Sequence, residues 1–339
     1  MRLSDSLPWT KTPLIINAPM GGIAQADLAI AVSKAGGLGQ IGVDDNLEGL
    51  KTQLAQVEKE LGRHNGLLPI GVGFLSFIVD SSKAVEIVEK FKPAVVWVFA
   101  ANALDDYAGW AEKVRKASPS SQVWIQVGNV EAAVRVAKEA RPDVLCVQGA
   151  DAGGHGFEKG AGIISLLPEV EDALAEEGHD IALVAAGGIA DGRAGAAALN
   201  LGAQGVVLGT RFLSAPETNV HPRYRAAVLA AKDGGQSTIR AKLFDELRGP
   251  NRWPVAYDGR SIRMKSFEEH KAGVHIDEIR KRHTEAIKGE DAGFGVDGRT
   301  AMWAGSGVGL VRKEQPAAEI VEEFRRGIFD AMHTARTRL

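Results

Sequence analysis

Residues 182–189 read ALVAAGGI, and residues 205–212 read GVVLGTRF. In each stretch a short apolar run ends in glycine, first at Gly187-Gly188 and then at Gly209-Thr210. Continuous apolar runs of this length are typical of parallel strands that are buried on both faces. Glycine just past a strand lets backbone N–H groups approach an anion closely, and a threonine hydroxyl adds a donor. A single glycine pair could be a tight turn, but two such loops at consecutive strand ends favour a phosphate site.

Six further apolar runs share this character and alternate with helical segments. The eight predicted strands are Leu14–Asn17, Leu38–Ile41, Ile70–Gly73, Val95–Phe99, Val123–Val127, Val144–Gln148, Leu183–Ala186 and Gly205–Leu208. The predicted helices between them are Asp27–Lys34, Leu47–Leu61, Ser81–Phe91, Leu104–Lys116, Val130–Ala140 and Gly192–Leu201. Eight such βα units favour an α/β fold that closes as a (β/α)8 TIM barrel, because doubly wound open sheets usually have fewer strands.

The pattern changes after the eighth run. Residues 215–300 show no clear strand, and they hold charged helical stretches at 224–232 and 267–288 between turns rich in proline and glycine. The last segment, Pro316–Leu339, has apolar residues at helical spacing. We predict a barrel built from residues 1–214 and 301–339. Residues 215–300 form a mainly helical insertion between strand 8 and the last helix, and this insertion caps the active site.

Composition excludes several classes of function. The chain has 339 residues and a net charge of −3, so no strong field attracts nucleic acid or an anionic membrane. No apolar run reaches the roughly 18 residues that a membrane-spanning helix needs. Cys146 is the only cysteine, and no paired Cys/His or HExxH spacing predicts a metal site. We expect a soluble, cytoplasmic enzyme without a metal. A homodimer stays open, because nothing in the sequence fixes the oligomeric state.

Other predicted strand ends carry small or amide residues that suit a planar, phosphorylated ligand. The predicted cofactor contacts at these ends are Ala18, Pro19, Met20 and Gly21 after strand one, Gly73 after strand three, Gln126 at strand five, and Gln148 at strand six. Small residues let the backbone lie against a flat ring, and the amides offer donors and acceptors to its polar edge. A structural turn or a solvated loop residue would also explain each feature alone.

Residues 148–156, QGADAGGHG, form the most informative segment. His155 follows Gly153 and Gly154, which we also predict as cofactor contacts, so it lies on a glycine-rich loop and not on an apolar helix face. A histidine at a barrel mouth can act as a base or as a cationic hydrogen-bond donor. The seven other histidines lack this context, and we expect them at the surface. Residues 302–310, MWAGSGVGL, either fold over the ligand or link the insertion back to the barrel.

These motifs together resemble the nitronate monooxygenase family, formerly called 2-nitropropane dioxygenases. The resemblance covers residues 12–325, with the motifs in family order. It rests on APMGG at 18–22, GLG at 37–39, GVGF at 71–74, GADAGGHG at 149–156, AAGGI at 185–189, LGTRF at 208–212 and WAGSGVG at 303–309. FMN-dependent enoyl-ACP reductases and NADH:quinone reductases share the same wider superfamily.

The resemblance implies a TIM barrel that binds FMN and oxidises alkyl nitronates with O2 to a carbonyl compound and nitrite. It leaves open whether neutral nitroalkanes are oxidised as well. It implies that His155 lies by the flavin as catalytic base or anion stabiliser. The resemblance and the strand ends together predict substrate contacts at Met20, Phe74, His155, Trp303 and Ser306. The alternative is an NAD(P)H-dependent FMN reductase of the same superfamily.

The sequence departs from the family pattern at two points. The family commonly has EAGGH in the loop before the histidine, and here Asp151 replaces the glutamate of that motif. The end of strand four, residues 99–102, lacks the His-Phe-Gly stretch of some members. The first change shortens an acidic side chain by one methylene, and we expect activity to survive it. The second leaves the substrate pocket undefined.

Overall fold

Eight parallel strands form the centre of the protein in the computed structural model, which describes residues 3–339 apart from the side chain of Ser4. The barrel strands are β1 (Leu14–Asn17), β2 (Gln40–Val43), β3 (Leu68–Leu75), β4 (Pro93–Phe99), β5 (Gln122–Val127), β6 (Val144–Gln148), β8 (Ala182–Ala186) and β9 (Gly205–Leu208). β7 (Gly154–Phe157) lies outside the barrel. The predicted α/β barrel is confirmed. The second run is displaced by two residues, so that Leu38 contributes only an isolated bridge to Ile16.

Strand order explains how the barrel closes. The sheet runs β1-β9-β8-β6-β5-β4-β3-β2, and β1 pairs with β9 from Leu14 opposite Gly205 onward. Between β1 and β2 the Asn17 side chain, which is fully buried, replaces part of the ladder. Its Nδ2 donates to the Gln40 carbonyl and its Oδ1 accepts from the Gln40 N–H, both at 2.8 Å. All strands are parallel, so their carboxyl ends meet at one rim.

Helices surround this sheet and also build the insertion. They are α1 (Leu3–Ser6), α2 (Ala26–Lys34), α3 (Leu47–Leu61), α4 (Ser81–Phe91), α5 (Asp106–Ala117), α6 (Val130–Ala140), α7 (Ile163–Glu176), α8 (Gly192–Asn200), α9 (Pro222–Ala230), α10 (Gly234–Ser237), α11 (Leu243–Glu246), α12 (Lys265–Lys271), α13 (Ile276–Ala286) and α14 (Ala317–Arg336). Two 3-10 helices cover Thr210–Ser214 and Ser306–Leu310. α7 was not among the predicted helices. Residues 1 and 2 of the predicted first barrel segment lie outside the described residues.

The insertion contains strands, contrary to the sequence expectation. β10 (Thr238–Ala241) and β11 (Tyr257–Ile262) pair antiparallel with each other, and β11 pairs antiparallel with β7. The prediction of no strand in residues 215–300 is therefore wrong. The strands are short, and charged residues interrupt their apolar alternation. These charged side chains pair with each other and with backbone groups inside the fold. The sequence does not show that pairing, so the segments lacked the apolar pattern that predicts a strand. Helices still cover more of residues 215–300 than strands do.

The insertion has its own small apolar core. The buried residues of this core are Leu243, Phe244, Leu247, Met264 and Ile279. It is separate from the main core between the sheet and its helices, which contains most of the buried apolar residues. Across residues 3–339 no helix is both long enough and apolar enough to cross a membrane.

Candidate active site

A cavity of about 320 Å³ opens at the carboxyl ends of the barrel strands. This is the end of the fold at which barrels carry their functional loops. Most of the predicted cofactor contacts line it, namely Ala18, Pro19, Met20, Gly21, Gln126, Gln148, Gly153, Gly154, Gly187, Gly188, Gly209 and Thr210. Gly73 is the one predicted cofactor contact that does not line it. Of the predicted substrate contacts, Met20, His155 and Trp303 line the cavity, whereas Phe74 and Ser306 do not.

The two glycine loops both line this cavity. Gly187 and Gly188 have φ values of +99° and +72°, a region that other residues rarely adopt. A Cβ on Gly187 would lie 2.7 Å from the Gly149 carbonyl oxygen, and one on Gly188 would lie 3.1 Å from Asp151 Cβ. Within residues 3–339 the N–H groups of Gly188 and Gly209 donate to no protein acceptor. These loops therefore leave donors free for a bound phosphate.

Thr210 contributes a hydroxyl whose proton is free. Its Oγ1 accepts a hydrogen bond from the Gly305 N–H at 2.9 Å, so the hydroxyl can donate into the cavity. Helix α8 begins shortly after Gly188, but it does not offer its N-terminal donors to the cavity. The Asp191 carboxylate already accepts hydrogen bonds from the N–H groups of Arg193 and Ala194. The described lining residues include no lysine or arginine. The donors that the two glycine loops present to the cavity are therefore backbone N–H groups and the Thr210 hydroxyl.

Gly73 and Phe74 lie behind the cavity wall. A Cβ on Gly73 would meet Pro19 Cβ at 2.4 Å, so this glycine makes room for the loop after β1, and Pro19 faces the cavity in its place. Phe74 points to the opposite side of β3, where it is buried and stacks on Trp110 with ring centroids 5.7 Å apart. Side chains alternate along a strand, so consecutive residues cannot both face the ligand.

The two predicted amides have different local partners. Gln126 Oε1 accepts from Trp97 Nε1 at 3.2 Å, which leaves the amide nitrogen available at the cavity wall. Gln148 Nε2 donates to the backbone carbonyl of His155 at 3.1 Å. Gln148 therefore also fixes the segment that carries the histidine.

The segment 302–310 crosses the segment 149–156 in backbone contact. A Cβ on Gly153 would lie 2.4 Å from Gly305 N, and one on Gly305 would lie 2.6 Å from the Asp151 carbonyl oxygen. Ser306 donates from its N–H to the Asp151 carbonyl at 2.9 Å and from its hydroxyl to Asp151 Oδ1 at 2.7 Å. Ser306 thus fastens this crossing and does not line the cavity, while Trp303 and Gly305 do. Of the two readings left open for this segment, folding over the cavity agrees with the structure.

His155 lies in β7 and is held by three side chains. Its Nε2 is 2.6 Å from Asp245 Oδ1, its ring stacks on Trp253 at 3.5 Å with an interplanar angle of 6°, and Trp303 lies 4.6 Å away. The side chains of His155 and Asp245 are only 13% and 6% exposed. A histidine with a buried carboxylate partner and a free face toward a cavity is suited to proton transfer or anion binding.

Two arginines of the insertion brace the segment around His155. Arg240 forms a buried ion pair with Asp258 and donates to the Gly156 carbonyl at 3.2 Å. Arg260 donates to the Ala150 carbonyl at 3.1 Å. Burial is the largest influence on Arg260 and lowers the pKa of its guanidinium. β10 and β11 therefore fix the backbone on both sides of the histidine.

Known proteins that resemble this chain are nitronate monooxygenases. The family model described as nitronate monooxygenase matches residues 79–327. A nitronate monooxygenase of Metarhizium robertsii is 45% identical over 95% of this chain and 93% of its own length. A nitronate monooxygenase of Neurospora crassa is 39% identical over 96% of this chain and 91% of its own length. The chain belongs to the nitronate monooxygenase family. The resemblance seen in the sequence motifs is confirmed.

Solved structures support the barrel fold of this family member. The FabK structure from Thermotoga maritima matches with a TM-score of 0.77 at 23% identity and covers 99% of this chain and 98% of its own. A nitroalkane oxidase from Streptomyces ansochromogenes matches with a TM-score of 0.75 at 23% identity, covering 98% of this chain and 100% of its own. At this level of identity these matches bear on the fold alone. Membership in the nitronate monooxygenase family implies a flavin cofactor.

Sequence reasoning missed several residues of the site. Asp245, Trp253 and Tyr224 all come from the insertion, and Trp253 and Tyr224 line the cavity. Tyr224 donates its hydroxyl to the Trp303 carbonyl at 2.8 Å, and burial raises the pKa of this phenol well above its ordinary value. Only Trp253 had a signal, since a tryptophan within a proline-rich turn is rarely left in solvent. No local pattern marks Asp245.

One histidine of the insertion departs from the surface position predicted for it. His283 is 1% exposed, and its Nδ1 has no hydrogen-bond partner among the described residues. The apolar spacing of α13 places it on the inner face of that helix beside Ile279. No group of three or more His, Cys, Asp or Glu side chains within residues 3–339 could hold a metal ion.

Proposed function

We propose that the protein is an FMN-dependent nitronate monooxygenase, which converts alkyl nitronates and O2 to carbonyl compounds and nitrite. The overall reaction balances when two nitronate anions and one O2 give two carbonyl compounds and two nitrite ions. The observation that carries the proposal is His155, held by Asp245 and Trp253 in the wall of the same cavity that the glycine loops line. Family membership supports the choice of substrate class.

FMN fits the donors that the chain leaves unused. The N–H groups of Gly188 and Gly209 and the hydroxyl of Thr210 suit a phosphate, and Gln126 offers an amide nitrogen to the polar edge of a ring. Bound FMN would supply the redox chemistry between the nitronate and oxygen. The protein's own contribution is to bind, orient and exclude water. The apolar side chains of Met20, Trp253 and Trp303 line the cavity and help to exclude water.

His155 can act in two ways on this substrate class. A protonated imidazole stabilises the delocalised negative charge on the nitronate oxygens. A neutral imidazole removes the α-proton of a neutral nitroalkane and so generates the nitronate in place. Both roles need the ring to face the cavity, as it does here.

The cofactor and the reaction can be tested together. We expect purified protein to be yellow and to release FMN on denaturation, identified by chromatography against FMN and FAD standards. Oxygen uptake and nitrite formation should then follow the addition of propyl-2-nitronate. Rapid anaerobic bleaching by NADH or NADPH, without nitrite formation from nitronate, would instead establish the reductase alternative. A colourless protein that takes up no flavin would exclude both.

Replacing the histidine tests its role directly. We expect His155→Asn to lower kcat/KM for a neutral nitroalkane by about 100-fold or more, since general base catalysis typically contributes 10²–10⁴-fold. The matched control is His333→Asn, which changes an exposed histidine on α14. Initial rates of nitrite formation, normalised to bound flavin, measure the effect. If His155→Asn oxidises the nitroalkane as fast as the parent, His155 is not the base.

Three further expectations remain predictions. We propose that residues 215–300 cap the active site as a unit, which agrees with their contribution of Tyr224, Asp245 and Trp253 to it. A cytoplasmic location and a homodimer are the other two.

A further inference from the structure

Among residues 3–339, the side chain of Asp245 has a single polar partner. It lies on α11, and its Oδ1 contacts His155 Nε2 at 2.6 Å across 90 residues of sequence. Its Oδ2 is buried and has no hydrogen-bond partner among the described residues. A buried carboxylate without compensation is costly, so its contact with the imidazole is an important interaction for both groups.

This contact assigns the two nitrogens of the ring. An ionised carboxylate only accepts hydrogen bonds, so the proton of a neutral imidazole sits on Nε2 and the lone pair on Nδ1. No hydrogen bond reaches His155 Nδ1 from any residue between 3 and 339. His155 lines the cavity and its Nδ1 is not fully buried, so this nitrogen is accessible to a ligand.

The ring plane is fixed as well. Trp253 stacks on the imidazole at 3.5 Å with an angle of 6°, and this contact opposes tilting. A 180° flip of His155 would preserve the stack but would place a C–H group, instead of Nε2–H, against the buried carboxylate of Asp245. The stack therefore sets the plane, and the hydrogen bond sets which edge of the ring faces Asp245.

Helix α11 has polar contacts at both of its ends. Arg280 of α13 donates to the Glu246 carbonyl at 2.7 Å and to the Gly249 carbonyl at 3.1 Å. Lys242, just before the helix, pairs with Glu158, just after β7, at 2.9 Å. The Asp245 carboxylate thus lies on a short helix whose two ends both contact other elements of the fold.

We propose that Asp245 is the positioning residue for His155, which it holds as the Nε2–H tautomer so that Nδ1 is the nitrogen that acts on the substrate. The role in catalysis rests on the proposed function, whereas the tautomer does not. In the proton transfer from a nitroalkane, the Nδ1 lone pair takes the α-proton. The electron pair of the broken C–H bond becomes the C=N bond, and the negative charge moves to the nitro oxygens. Asp245 then stabilises the resulting imidazolium.

Nitrogen NMR of the flavin-loaded protein tests the tautomer. With ¹⁵N-labelled histidine, the resonances of His155 are identified by their loss in His155→Asn and followed up to pH 9. We expect a protonated, pyrrole-type Nε2 and an unprotonated, pyridine-type Nδ1. The opposite tautomer, an even mixture, or a ring that stays doubly protonated to pH 9 would each overturn the proposal. The parent protein alone decides this point, even if a variant fails to fold.

Asp245→Asn tests the cause. The amide keeps the size of the side chain but can present either an acceptor or a donor to the ring, so we expect the tautomers to mix. The matched control is Asp297→Asn, which changes an exposed aspartate of the same insertion. An unchanged His155 tautomer in Asp245→Asn would show that the carboxylate does not set it.

Kinetics separate positioning from a structural role. We expect Asp245→Asn to lower kcat/KM for a neutral nitroalkane by about 100-fold. We expect a far smaller loss with preformed nitronate, which needs no base, and an unchanged flavin content. Equal losses on both substrates would indicate a structural role and overturn the proposal. If the parent forms no nitrite from either substrate, the proposed function fails, and the NMR result still decides the tautomer.

Discussion

At the residue scale, the glycines of the two loops differ in what they do. Gly187 and Gly188 hold backbone conformations with positive φ, and both lie against the backbone or Cβ of the 149–152 segment. Gly209 has an ordinary φ of −97°, and a Cβ there would make a normal contact with Ala18 Cβ at 3.7 Å. The first pair is therefore required by the fold, whereas neither φ nor space requires a glycine at position 209. Thr210 completes the group with the only side-chain hydroxyl we assign to the phosphate.

Thr210→Val should weaken FMN binding by about 10- to 100-fold, because a hydrogen bond to a charged group contributes about 1.5–3 kcal/mol. Fluorescence titration of the flavin-free protein with FMN measures the dissociation constant. Thr210→Ser is the matched control, since it retains the hydroxyl that also accepts from the Gly305 N–H. Equal affinities for the valine variant and the parent would exclude a contact between this hydroxyl and the phosphate.

His283 predicts a pH dependence of stability. Burial, followed by the charges of Arg248 and Arg299, lowers the pKa of this imidazole in the folded protein. The unfolded chain then binds the proton more readily than the folded one. The contribution to the free energy of unfolding is therefore fully present above the ordinary histidine pKa of about 6.5 and decreases as the pH falls through that value toward the lowered folded pKa.

His283→Gln should thus lose less stability than the parent between pH 7.5 and pH 5. Thermal unfolding midpoints at the two pH values measure the difference. His270→Gln, an exposed histidine of the same insertion, is the matched control and should behave like the parent. Parallel losses in the parent and in His283→Gln would mean that other groups cause the acid sensitivity.

At the element scale, the sheet β7-β11-β10 joins the barrel to the insertion. His155 pairs with Gly259 of β11, and a Cβ on Gly259 would lie 2.4 Å from the Trp303 ring. The strand that carries the histidine is therefore completed by a strand from the insertion, and the neighbouring tryptophan depends on the same pairing. The ion pair of Arg240 and Asp258 lies across β10 and β11, with side chains 13% and 10% exposed.

Arg240→Leu should lower the free energy of unfolding by about 3 kcal/mol, because it leaves Asp258 buried without its partner. The double variant Arg240→Leu with Asp258→Leu should recover part of that loss, since two apolar residues remove the uncompensated charge. Urea unfolding monitored by flavin release and by circular dichroism measures both. Lys288→Leu breaks the exposed pair with Glu285 and should change stability by less than about 1 kcal/mol. A loss for Arg240→Leu as small as this control would contradict the buried-pair interpretation.

At the scale of the whole molecule, the protein combines a large apolar core with two smaller ones. The barrel strands share an extensive apolar core, whereas α11 and α13 rest on the few apolar residues around Leu243 and Ile279. Free energies of local opening follow the number of buried apolar contacts. The contact between His155 and Asp245 lies between these two regions, because His155 belongs to the barrel side and Asp245 to the insertion.

Hydrogen exchange should reflect this division. We expect the amides of α11 and α13 to exchange faster than those of β4 and β5, as measured by mass spectrometry of the flavin-loaded protein. Addition of a nitronate or an unreactive analogue without oxygen should slow exchange in β7 and β11. Uniform exchange across barrel and insertion would show a single cooperative unit and contradict the expectation.

The sequence by itself determined the barrel and half of its site. Buried parallel strands appear as continuous apolar runs, and the glycines after β8 and β9 mark two loops that line the cavity. His155 was recognisable because glycines surround it. The errors came where local pattern is ambiguous. Alternation along β3 placed Phe74 away from the cavity, and the charged residues of β10 and β11 concealed two strands.

Only the tertiary structure decided what surrounds the histidine. Asp245 and Trp253 lie about 90 and 100 residues from His155 in the chain, and nothing in their local sequence marks them as its neighbours. Periodicity reports which face of an element is buried, but it carries no information on which distant elements meet. The pairing of β7 with β11 brings them together, and this pairing depends on backbone hydrogen bonds that are the same for every sequence.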